Sequence, residues 1–421
     1  MYLSSSRSQD TVTGVGGGRS RVARGAVTAN VVALGMVSLV TDISSEMVTA
    51  VMPVYLVAGL GLSILQFGFL DGLYSGVTVF LRLAGGHIAD RFSARKKVAA
   101  AGYGLSAVSK LGFPAVGASV PGIGTLLAVD RAGKGLRTAP RDALISLSST
   151  PEAQGRAFGV HRALDTAGAF LGPLLAFMIL SAVATAYDAV FVVSFCIGMV
   201  GLLMLLLFVR DRPGPPAGTG KPRAASWRAG VGLLRDVPFR RLCLCAALLG
   251  VATVSDAFIY LVLQRELDIK AHWFPLLPLG TAGVYLLLAI PVGRLADRVG
   301  RRRVFLAGHL ALGAVYVLLA GPFGGVALLV GTLALHGVFY AMTDGILMAA
   351  AGAGLPAELR TSGLAVLQTG QAAGRFVSSV AFGWAWTQWG PERAVVWSGA
   401  VLVVALGVSA VVLGGARVRG R

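Results

Sequence analysis

Charge is scarce in this 421-residue chain: Asp, Glu, Lys and Arg together make up 13% of it, about half the share in a soluble domain. Too few polar side chains remain to cover a water-facing surface, which excludes an ordinary cytosolic enzyme. Acidic residues are the scarcer sign, 19 Asp+Glu against 37 Lys+Arg, for a net charge of +18. Cysteine is nearly absent. Cys196, Cys243 and Cys245 lie in apolar runs with no partner at metal-ligand spacing, so neither a disulfide framework nor a metal site is expected. Catalytic signatures are missing too. There is no G-x-S-x-G, no phosphate-binding G-x4-G-K-[ST], and His161 and Asp165 stand one residue short of H-x4-D.

What is present is hydrophobic. Apolar residues make up 55% of the chain, and mean hydropathy is +0.75. The 57 glycines are about twice the usual ~7% share, as expected where helices pack backbone to backbone in lipid. A spanning helix takes roughly 20 apolar residues. Runs of that kind lie near 28–57, 63–87, 98–117, 121–147, 156–182, 187–209, 241–265, 272–295, 303–320, 325–350, 361–388 and 394–415. The expected class is an all-α integral membrane protein with twelve transmembrane helices in two six-helix bundles. Residues 1–27 read as a disordered basic tail, 28–209 as the N-terminal bundle, 210–239 as a Pro- and Arg-bearing linker, 240–415 as the C-terminal bundle, and 416–421 as a second tail.

Basic residues fix the orientation. Both tails and the turns after spans 2 and 8 (Arg91, Arg95, Lys96 and Lys97; Arg298, Arg301, Arg302 and Arg303) fall on one side, against Arg265, Lys270 and Arg393 on the other. The positive-inside rule places both termini in the cytoplasm of a multi-pass plasma-membrane protein. The cationic surplus is thereby topological, and a nucleic-acid partner is not expected. The preference for Arg over Lys suits a GC-rich bacterial genome.

Ionisable residues within spans are costly, about 2.5–3.5 kcal/mol each, and by default mark function. Span 1 holds Asp42 and Glu46, four apart and on one helical face, span 2 holds Asp71 and Arg82, and span 3 holds Lys110. Span 4 holds Asp130, Arg131, Lys134, Arg137, Arg141 and Asp142, with Arg131, Lys134, Thr138 and Arg141 following one face. Span 5 holds His161, Arg162 and Asp165; the second half offers Asp256, His336, Asp344 and Arg375. His161 and Asp165 share a face and form either a proton relay or a structural hydrogen bond. The span-4 cations need anionic partners in the bundle, a wet cavity, or an anionic ligand.

The halves repeat. The turn after span 2 reads Gly86-x3-Asp90-Arg91-x-Ser93-x-Arg95-Lys96, and the turn after span 8 reads Gly293-x3-Asp297-Arg298-x-Gly300-x-Arg302-Arg303. Gly at the head lets the helix approach its neighbour, and Asp can accept from the N–H groups of a helix start. This twice-used motif, with twelve spans and a central loop, resembles the major facilitator superfamily over about residues 28–415. Ser93 stands where that family usually has Gly.

The resemblance implies a pseudo-symmetric transporter fold whose first and fourth helices line a central cavity, which makes Asp42 and Glu46 the natural partners of the span-4 cations. It implies that Asp90, Arg91, Asp297 and Arg298 latch the cytoplasmic side. Arg131-Ala-Gly-Lys134-Gly135 is similar to the family's R-x-x-Q-G, whose Arg is linked to proton coupling; here Lys134 replaces Gln. Gly159-x8-Gly168-x3-Gly172-Pro173 resembles the family's antiporter motif, with Ala176 at its last glycine, and implies an exporter exchanging substrate for protons. The expected function is therefore proton-coupled efflux of a small molecule by alternating access, by a monomer in lipid with no cofactor beyond the proton gradient. Candidate coupling residues are Asp42, Glu46, Arg131, Lys134, Arg137, His161, Asp165, Asp256, Asp344 and Arg375. Two alternatives stay open: movement of an anionic metabolite held by the span-4 cations, and a polytopic membrane enzyme or non-transporting receptor.

Overall fold

The computed structural model describes residues 28–76, 95–150, 153–183, 185–211, 227–352, 354–356 and 359–414. Among these there is helix but no strand. The N-terminal half comprises α1 (Ala29–Val54, ending in a π-helical turn, Tyr55–Gly59), α2 (64–76), α3 (Arg95–Val116), α4 (Val120–Leu147), α5 (Gln154–Ala182) and α6 (Tyr187–Phe208). After a short α7 (Trp227–Gly232), the C-terminal half comprises α8 (Val237–Ala252), α9 (Asp256–Glu266), a 3₁₀ turn (Ala271–Leu276), α10 (Leu277–Val299), α11 (Arg301–Ala320), α12 (Gly325–Thr343), α13 (Ile346–Gly352), α14 (Arg360–Trp389) and α15 (Pro391–Gly414).

The helix boundaries follow local chemistry. Ser119 caps α4 by accepting from the Gly122 N–H at 3.2 Å, and Asp236 caps α8 by accepting from the Phe239 N–H at 3.0 Å. Each cap is followed by a proline at the first helical turn, where its missing N–H costs nothing. Between α10 and α11 the chain turns at Gly300, whose φ of +107° is closed to most side chains.

Eight described segments are long and apolar enough to cross a membrane. Those eight include the two composite segments Val237–Glu266 and Gly325–Gly352. Helices α3 and α4 are of spanning length but carry Lys110 and Asp130, Arg131, Lys134 and Arg137, which lower their hydropathy.

Helix packing shows the pseudo-symmetry. In the first half α1 lies on α5 and α6, and α3 on α4 and α6; six spans later α8 lies on α14 and α15, and α11 on α12 and α15. Two segments that read in sequence as unbroken apolar runs are each two helices. The chain leaves helical geometry at Thr253–Ser255, between α8 and α9, and at Asp344–Gly345, between α12 and α13. Apolar surroundings would leave the freed backbone groups of the first break unpaired. Tyr316 repairs it, its hydroxyl accepting from the Val254 N–H at 2.8 Å and donating to the Ala252 carbonyl at 3.0 Å, while Ser378 donates to the Thr253 carbonyl at 2.8 Å. The second break turns at Gly345, φ +73°. Asp256 and Asp344 stand at these two breaks.

Candidate functional site

The N-terminal half pairs the charges of α4 internally. Arg131, 6% exposed, binds its neighbour Asp130 at 2.7 Å and lies over the Tyr74 ring, 4.0 Å from its centroid. Asp130 also accepts from Ser106 of α3 at 2.6 Å. One turn on, Lys134 reaches Glu46 of α1 at 3.5 Å. Arg137 reaches Asp42 of α1 at 3.5 Å and covers the Tyr103 ring. Arg141 binds Asp142 at 2.9 Å and Asp165 of α5 at 3.8 Å. Helix α4 is thus fastened to α1 and α5 by carboxylates from both, each cation answered by an anion as burial requires. Lys110 of α3 donates to Ser44 of α1, whose hydroxyl donates in turn to the Ser194 carbonyl of α6.

Helix α5 lies unusually close to α1. A Cβ on Gly168 would meet the Leu39 carbonyl and Asp42, and one on Gly172 would stand 2.7 Å from the Ile43 carbonyl. The glycines thereby hold Asp42 and Asp165 near each other and near the α4 cations.

Between the halves lies a cavity of about 430 Å³. The first half contributes Glu46, Thr49, Asp71 and Tyr74 to its wall; the second contributes Asp256, Tyr260, Tyr285, Tyr340, Asp344 and Arg375. Asp256 accepts from the Tyr340 hydroxyl at 2.6 Å, with His336 Nε2 3.4 Å away. Asp344 accepts from the Tyr285 hydroxyl at 3.3 Å. Hollows of about 360 and 320 Å³ adjoin it, one reaching Gln368 and Gln371, the other Asp297 and Arg301.

At one end, where α1 turns into α2 and α14 into α15, the halves are sealed together. Asp71 of α2 accepts from Ser379 of α14 at 2.7 Å. Phe67 meets Phe258 edge-on at 5.0 Å, Phe69 meets Phe376 at 6.0 Å, and Phe177 of α5 packs on Trp273 of the 3₁₀ turn at 4.9 Å. The hollow at Asp297 and Arg301 lies at the opposite end, beside the α10–α11 turn.

The structure gathers some of the sequence-nominated residues and separates others. Asp42, Glu46, Lys134, Arg137 and Asp165 converge at the α1–α4–α5 junction. Arg131 takes Asp130 rather than a span-1 carboxylate as its ion-pair partner. The His161–Asp165 pair does not form: His161 lies 2.8 Å from the Ser38 hydroxyl, and Asp165 faces Arg141 instead. In α5 the close-packing reason for glycine holds at Gly168 and Gly172 but not at Gly159, which meets nothing within 4 Å. Pro173 of the same motif lines the central cavity.

In the second repeated turn Gly293 likewise meets nothing within 4 Å, and Asp297 accepts from the Arg301 guanidinium at 2.9 Å rather than from a helix start. Arg301 carries the contact onward to the Ala349 carbonyl of α13 at 2.9 Å, while Arg298 and Arg302 are exposed. Arg95 opens α3 half-buried; Arg82, Gly86, Asp90 and Arg91 lie outside the described residues. Tyr285, Tyr340 and Ser379 were not nominated, while Asp71 counted only as an ionisable residue within a span and Arg301 only as a basic residue of the second repeated turn. The Thr343-Asp344-Gly345 turn signal was the one cue that could have exposed the α12–α13 break.

These features have known counterparts. The Major Facilitator Superfamily profile matches residues 34–284 and 263–419. An uncharacterised MFS-type transporter of Methanocaldococcus jannaschii is 30% identical over 325 residues, 75% of this chain and 78% of that protein. An uncharacterised protein of Mycobacterium tuberculosis is 32% identical over 200 residues, 46% of this chain and 48% of its own length. In fold, the chain is similar to the nucleoside transporter NupG (TM-score 0.75, 14% identity, 91% of this chain and 99% of that one). It is similar also to a bacterial homologue of the human lysosomal transporter Spinster in its inward-facing, unoccupied conformation (TM-score 0.72, 15% identity, 93% and 98%). With a matching profile over most of its length and helices fit to cross a membrane, the chain belongs to the Major Facilitator Superfamily of membrane transporters.

Proposed function

We propose that the protein is a twelve-span, proton-coupled exporter of a small molecule, working by alternating access in the plasma membrane with both termini cytoplasmic. The observation that carries this reading is a cavity between two pseudo-symmetric halves that is sealed at one end and lined by carboxylates from both. The sealed end is the side of Arg265, Lys270 and Arg393; the other end carries Arg298, Arg301, Arg302 and Arg303. By the positive-inside rule the cavity faces the cytoplasm, where an exporter takes up its load.

The coupling step follows from the ion pairs. A proton on Asp42 or Asp165 cancels the attraction that fastens α4 to α1 and α5. Helices α1 and α5 are also the ones that touch the 3₁₀ turn of the opposite half. Loosening them from α4 therefore shifts the contact that seals the outer end, biasing the rocking equilibrium by the difference in pairing between the two states. No cofactor is required, and one chain contains every residue invoked.

A pH-jump flux assay on full-length protein in proteoliposomes, screened over chemically diverse compounds, tests this reading. An imposed proton gradient is expected to drive uphill movement of a compound, with counter-movement of protons. Flux that is indifferent to the gradient would overturn proton exchange, and no flux of any compound would overturn transport.

A further inference from the structure

The span-4 cations that would suit an anionic ligand are engaged elsewhere. Lys134, Arg137 and Arg141 each face a carboxylate within the N-terminal half, and none of the three lines the central cavity. The cavity's own charge is of the opposite sign. Among the described residues, Glu46, Asp71, Asp256 and Asp344 face it, against Arg375 as the one lining cation. Crediting Lys134 to Glu46, and Arg375 with the nearby His336 to Asp256, still leaves Asp71 and Asp344 without a basic partner among the described residues. One of them, Asp71, is spoken for by Ser379 at the seal.

Asp256 and Asp344 belong to the C-terminal wall, and both stand where a span is broken into two helices, so neither is buried along a helix flank. Their side chains remain open to the cavity: 44% of the Asp256 side chain is exposed, and Asp344 is exposed. Around them stand the half-buried rings of Tyr285 and Tyr340, with Tyr260 and Phe274 almost fully buried in the same wall. Tyr340 and Tyr285 donate their hydroxyls to these same carboxylates, which orients each phenol. Carboxylates among aromatic faces are the chemistry that holds a positive charge on an apolar body, because a ring face attracts a cation and costs it little desolvation. A cavity of about 430 Å³ is within the size of sites that hold drug-sized molecules.

We propose that this cavity selects organic cations carrying an aromatic or apolar body, held between Asp256 and Asp344 and the tyrosines of the C-terminal half. The inference rests on the transporter reading above for its purpose, but not for its test. The probes are tetraphenylphosphonium and tetraphenylborate, which share size and shape and differ in charge sign. Equilibrium binding to the full-length protein in non-ionic detergent, measured for each probe separately, is expected to be saturable for tetraphenylphosphonium and absent or far weaker for tetraphenylborate. Asp344→Asn, at an exposed position, should weaken binding about tenfold or more, as for a lost charge partner in a partly desolvated site. Asp256→Asn should do the same, and Glu266→Gln, removing an exposed carboxylate outside the cavity, should change nothing.

Preferential binding of tetraphenylborate, or tetraphenylphosphonium binding that ignores both aspartate variants, would overturn the inference. The flux assay separates the two readings. Aspartate-dependent binding of the cation without flux of any compound would sink transport and leave the cation site standing. Gradient-driven flux of neutral or anionic compounds, with no binding of the cation, would sink the cation site and leave transport standing.

Discussion

The two halves share a fold and differ in what they do with charge. In the N-terminal half, cations and carboxylates are numerous and spent on one another: Arg131 on Asp130, Lys134 on Glu46, Arg137 on Asp42, Arg141 on Asp142 and Asp165. Within the spans of the C-terminal half charge is sparse, yet Asp256, Asp344 and Arg375 all face the cavity, among tyrosines. The contrast suggests a division of labour, with the first half fastening and releasing helices and the second holding the transported molecule. Glu46 joins the two, lining the cavity while binding Lys134.

The contrast is broken most severely at Arg137, which is 3% exposed and bound to both Asp42 and the Tyr103 ring. Arg137→Ala leaves a buried carboxylate unpaired, a loss of about 3–5 kcal/mol; gradient-driven flux should fall by about a hundredfold or more, with protein still inserted in the membrane. Asp256→Asn acts on the other half. It should raise the concentration for half-maximal flux about tenfold while changing the maximal rate little, as read from flux against substrate concentration.

The seal between the halves is a smaller target. Ser379→Ala removes the hydroxyl that Asp71 accepts at 2.7 Å, worth about 1 kcal/mol. It should shift the population sealed at that end about fivefold, measured by thiol labelling of a cysteine placed in the cavity wall at Ala282, which lines it. Least affected should be Asp297→Asn. Its pair with Arg301 is exposed, 63% at Asp297 and 39% at Arg301, so about 0–1 kcal/mol is at stake and flux should change by less than about fivefold.

Much of the fold was legible because lipid imposes a coarse rule. Each span must be a long apolar helix, and the repeated Gly-x3-Asp-Arg turn marks corresponding places in the halves. The helix breaks at Thr253–Ser255 and Asp344–Gly345 were not legible, since hydropathy averages over them and their repair depends on Tyr316 and Ser378, distant in sequence. At the site, the i,i+4 spacing of Asp42 and Glu46 put both carboxylates on one face, the family resemblance turned that face toward span 4, and Lys134 and Arg137 meet them there. Same-face spacing misled at His161 and Asp165. A shared face brings two side chains near one another, but neighbouring helices supplied Ser38 and Arg141 as closer partners. The charge count also drew attention to the first half, although the carboxylates most open to the cavity are the few in the second.

The division of labour is tested most directly by Asp42→Asn in proteoliposomes, assayed for both gradient-driven accumulation and gradient-free exchange of labelled for unlabelled substrate. Accumulation should be lost while exchange persists, because binding in the C-terminal wall is intact and only its link to the proton is cut. Retained accumulation, or equal loss of accumulation and exchange, would contradict it.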